Sequence, residues 1–63
     1  MSARAELSSL STSIDELVRH LARITDDLSG SERDLLGPDL FEVERALRSA
    51  RRRLGRLVDA APG

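Results

Sequence analysis

Arg45, Arg48, Arg51, Arg52, Arg53 and Arg56 crowd one short stretch of this chain and are its clearest candidates for chemistry. On a helix, Arg45, Arg48, Arg52 and Arg56 share one outward stripe, and guanidinium groups in such a row can contact phosphates. Four observations weigh against a polyanion-binding role. Asp39, Glu42 and Glu44 precede the arginines, the order that a helix dipole favours in a solvated face. The net charge is -1, and no Trp or Tyr is present to stack a base. No second helix of helix-turn-helix size accompanies the stripe. Nucleic-acid binding through the arginine face is therefore carried as the alternative reading.

The other reactive residue types are sparse. His20 stands four residues after Glu16, the spacing of an exposed ion pair. A phosphate-accepting histidine on a dimeric hairpin would be followed by an acid, which Arg19-His20-Leu21-Ala22-Arg23 lacks. Asp26, Asp27, Glu32 and Asp34 lie close together without the spacing or central glycine of a calcium loop. There is no Cys, no Ser-His-acid spacing and no glycine-rich phosphate loop. These absences point to a non-enzymatic protein with no cofactor, no metal and no small-molecule substrate.

The elements that carry these residues are legible in the apolar pattern. Leu7, Leu10, Ile14, Leu17, Leu21, Ile24 and Leu28 recur at alternating spacings of three and four. Leu40, Val43, Leu47, Ala50, Leu54, Leu57 and Ala61 repeat the same alternation. Each set falls on one side of an α-helix as a narrow coiled-coil-like seam. The chain is expected to be all-α, a single domain over residues 1–63. Helix 1 is placed at about 3–28, despite the weakly helical cluster of Ser8, Ser9, Ser11, Thr12 and Ser13. Gly30 reads as a helix stop, and Gly37-Pro38 as a break. That predicts a turn over 29–37, with a short helical turn at 31–36 capped by Ser31. Helix 2 follows over about 38–60, capped through Asp39 and Glu42 and ended by Pro62-Gly63.

So short a connection makes the helices antiparallel neighbours, with Leu21 facing Val43, Leu47 or Ala50. Phe41, just off the seam, is expected to pack on Leu35 or Leu36 and close the end of the bundle. Val18, Ala46, Val58 and Ala60 widen the seam on one side, the hint of a second interface. Two helices without a disulfide or metal bury little apolar surface. The expected architecture is therefore an antiparallel two-helix hairpin paired as a homodimeric four-helix bundle. The function that follows is a protein-protein interaction module, a small adaptor or regulator acting through helix-helix association. A subunit of a heteromeric bundle, poorly folded alone, is a further alternative, since the same heptads serve a second copy or a partner helix. No secretory leader and no apolar run near the roughly 20 residues that span a bilayer is read, so the expected location is cytoplasmic, without a membrane partner.

Overall fold

Ser2 opens the first helix. Its hydroxyl accepts a hydrogen bond from the Ala5 N–H at 3.2 Å, satisfying one of the donors that every helix start leaves free. In the computed structural model, which describes residues 2–62, α1 (Ala3–Asp27) runs unbroken through the serine cluster. The Thr12 and Ser13 hydroxyls there donate to the carbonyls of Ser8 and Ser9, each at 3.2 Å. Bonded back to the preceding turn in this way, they no longer compete for the N–H groups ahead.

The turn is far shorter than the sequence suggests. Only Leu28 and Ser29 separate α1 from α2 (Gly30–Ala60). Ser29 and Glu32 form a reciprocal capping box: the Ser29 hydroxyl accepts from the Glu32 N–H at 3.2 Å, and the Ser29 N–H donates to Glu32 Oε1 at 2.8 Å. This bond to the ionised form holds the Glu32 carboxyl below the usual carboxylate range, with the Ser29 backbone N–H as the main cause and its hydroxyl second. Gly30 is thus the first residue of α2 rather than a stop for α1. The stretch 31–36 is part of a long helix, and Asp39 lies inside it instead of capping it.

Pro38 also lies within α2. Proline disfavours a helical residue before it because its ring crowds that residue's backbone N–H and Cβ. Gly37 has no Cβ, so the Gly-Pro pair that reads as a break also lets a helix continue. The cost is one backbone bond, since proline has no N–H to offer the preceding turn.

Each helix supplies the cap that the other lacks. Neither has a basic residue in its last turn. Arg33, early in α2, donates to the Thr25 and Asp26 carbonyls at 3.3 and 3.4 Å. Arg4, early in α1, donates through Nε to the Val58 carbonyl at 3.1 Å. Both C-terminal ends thereby gain a cation and a donor, which also complements the helix dipole. With the Asp15–Arg51 ion pair midway, these contacts hold the helices antiparallel. The hairpin extends 48 Å by 15 Å by 11 Å, one layer of helices thick. Among the described residues none is buried, because a single helix pair cannot enclose a side chain. Met1 and Gly63 lie outside the described residues, and with Gly63 lies part of the expected Pro62-Gly63 stop.

Candidate functional site

The heptad positions divide into three parallel rows once the helices meet. The central row, Leu7, Ile14, Leu21 and Leu28 with Leu40, Leu47, Leu54 and Ala61, is half-buried throughout and forms the contact between α1 and α2. One flanking row completes that contact: Ser11, Val18 and Thr25 on α1, and Gly37, Glu44 and Val58 on α2, also half-buried. These residues are small, β-branched or polar, and the Asp15–Arg51 pair lies beside them. Val18 and Val58, expected to widen the seam toward a second interface, are thus used within the hairpin.

The other flanking row points outward. Leu10, Leu17, Ile24, Val43 and Leu57, all read from sequence as seam, remain between 43% and 54% exposed. Ala50 is exposed with them, and Ala3 and Leu36 extend the same rows. Both helices turn this row to the same side, since Leu17, Leu21 and Ile24 of α1 line one groove with Val43 and Leu47 of α2. The hairpin therefore carries a continuous aliphatic strip along one broad face. Six large aliphatic side chains, each about half exposed, share this face, and contiguous exposed apolar surface of that kind is what interaction sites present.

The opposite face is polar. Asp15, Val18 and Arg19 line a shallow depression there with Arg48, Arg51 and Arg52. Three of the α2 arginines have carboxylate partners: Arg45 with Glu42 at 3.8 Å, Arg48 with Glu44 at 3.1 Å, and Arg51 with Asp15. Arg52, Arg53 and Arg56 form no ion pair among the described residues, and neither do Glu6 and Glu16 on α1. Arg19 joins the cluster from α1, a neighbour that only the packing of the two helices brings there.

The remaining candidates fall away from any constellation. His20 sits at the edge of the aliphatic groove and shares a second depression with Glu16, Arg19 and Arg23, without an ion pair to Glu16. Phe41 does not close the end of a bundle; it is 59% exposed, with the Arg45 guanidinium carbon 5.8 Å from its ring centroid. Leu35 is more exposed still, at 78%, because the stretch meant to fold over the end of the bundle continues along α2. Among the described residues, no group of His, Cys, Asp and Glu is placed to hold a metal ion, and no helix is long and apolar enough to cross a membrane. Compared with protein-family models, with curated proteins and with solved structures, the chain finds no match.

Proposed function

We propose that this chain is a non-enzymatic, cytoplasmic interaction module, a small adaptor or regulator that works by helix-helix association. Its aliphatic strip pairs with a second copy to make a four-helix bundle. One observation carries the reading: no residue of the hairpin is buried among those described, while Leu10, Leu17, Ile24, Leu36, Val43 and Leu57 stand in water along one face. A single pair of helices turns its smaller and more polar flank inward and its larger aliphatic flank outward. Covering that flank supplies the apolar burial that the lone hairpin lacks. Sedimentation equilibrium, with helicity followed by circular dichroism over the same dilution series, tests it. The reading expects a dimer that keeps its helicity; a weakly helical monomer would assign the strip to a different protein instead.

A second reading has one observation in its favour. Arg52 forms no ion pair among the described residues and lies in the depression where Arg19, Arg48 and Arg51 gather. A nucleic-acid contact there would show salt-steep binding to random duplex, lost when Arg48, Arg52 and Arg56 are changed to Gln. The paired carboxylates Asp15, Glu42 and Glu44 on the same side favour the solvated face.

A further inference from the structure

We propose that the two copies pair with their turns at the same end, α1 of one copy lying over α2 of the other; this rests on the self-association argued above. The order of side chains along the strip carries it. On α1 the row reads Ala3, Leu10, Leu17, Ile24, and on α2 it reads Leu36, Val43, Ala50, Leu57. The Asp15–Arg51 pair joins residues two before Leu17 and one after Ala50, which puts Leu17 and Ala50 near the same height, about halfway along the strip. Ala50 is the one small residue in the middle of either row.

Two face-to-face arrangements of a two-fold dimer cover the whole strip. With turns at opposite ends, α1 lies on α1 and α2 on α2. The middle layer then sets Leu17 against Leu17 and Ala50 against Ala50, one contact crowded and the other hollow. With turns at the same end, each Leu17 meets the partner's Ala50. Large then faces small twice over, the interdigitation that closes a layer without a void. The layers on either side do not discriminate, since Leu10, Ile24, Val43 and Leu57 are large aliphatics that pair with one another in both arrangements. In both arrangements each helix lies antiparallel to the helix it covers, so helix direction does not discriminate and the middle layer decides. The occupant of the strip is thus a second copy of this chain, whose own small residue fits its own large one.

A residue swap tests the assignment. Ala50 is exposed in the hairpin, so Ala50→Leu leaves the hairpin intact. In the same-end dimer Ala50→Leu crowds the partner's Leu17, and Leu17→Ala leaves a hollow against the partner's Ala50. Each single variant is expected to weaken dimerisation at least about tenfold, and the double variant Leu17→Ala/Ala50→Leu to return to within about threefold of the parent. Tighter dimerisation of Ala50→Leu alone would overturn the assignment in favour of opposite ends, where it fills the hollow.

A distance measurement separates this question from association itself. The chain has no cysteine, so a spin label on Asp27→Cys, beside the turn, is unique. At about 1.5 Å of rise per residue, same-end pairing puts the two labels roughly 15–25 Å apart and opposite-end pairing beyond about 30 Å. The short distance supports the proposal. The long one refutes it while leaving the dimer standing, and no intermolecular distance at all refutes the self-association beneath it.

Discussion

Truncating Leu17 to alanine, beside a matched change at Val18, separates the association strip from the hairpin contact. Leu17 is 53% exposed in the hairpin, so about half of its apolar surface is already covered there and half remains for a partner. Fully burying a leucine side chain is worth about 2–3 kcal/mol, so the uncovered half is worth about 1.2 kcal/mol in each copy. A dimer contains two such residues, so Leu17→Ala costs about 2.4 kcal/mol of association free energy and raises Kd about 60-fold. Val18→Ala is the matched control. It trims the neighbouring residue, which lies on the flank that faces α2 within the same chain. Its effect falls on the stability of the hairpin, with little change in the interface between copies. The assay is sedimentation equilibrium over a dilution series for the parent and both variants, with helicity recorded at each concentration. An unchanged Kd in Leu17→Ala, or a larger shift from Val18→Ala than from Leu17→Ala, would refute the argument that the outward row is the interface.

Further predictions concern the helices themselves and the arginine face. The lowered Glu32 pKa means that its carboxylate stabilises the fold fully above the ordinary carboxylate value, and that this contribution fades as pH falls through the lower folded value. The melting temperature of Glu32→Ala should therefore lie below that of the parent at pH 7, with the gap closing in acid. A gap that widened on acidification would contradict the capping box. Gly55 has open space where a Cβ would stand, so Gly55→Ala is expected to stabilise the helix by about 1 kcal/mol in urea titration. Pro38→Ala restores one backbone donor inside α2 and should stabilise by about 1–3 kcal/mol; a loss of stability would show that the proline is needed to shape the hairpin. Changing Arg52 and Arg56 together to Gln is expected to leave dimerisation within about threefold of the parent, because both lie away from the aliphatic strip.

The local chemistry of the turn was partly readable. Ser29-Gly30-Ser31-Glu32 has the S-x-x-E spacing of a capping box, the same spacing present at Ser13 and Glu16. Gly30 concealed it, because a glycine after an apolar helix signals a stop as readily as a start. The structure uses the box at Ser29 and leaves the one at Ser13 idle within α1. Gly37-Pro38 was ambiguous for a related reason: the residue that permits a turn also removes the Cβ clash that would have enforced one. The arginine caps left no local trace, since Arg4 and Arg33 act on the ends of the opposite helix, across the chain fold.

The sequence by itself determined that the chain makes two amphipathic helices and that Leu7, Ile14, Leu21, Leu28, Leu40, Leu47, Leu54 and Ala61 lie along their line of contact. A seven-residue repeat of apolar side chains has only one helical solution, and those residues are its common members whichever flank is buried. Which flank joins them was beyond it. The rows one residue apart, through Leu10, Leu17 and Ile24 or through Ser11, Val18 and Thr25, lie on either side of the same central line, and apolar character alone favours the first. The tertiary structure takes the second, because small and β-branched side chains, with the Asp15–Arg51 pair beside them, let the two helices close on each other. That choice, made by the fit of one helix to the other, leaves the larger aliphatic row facing outward.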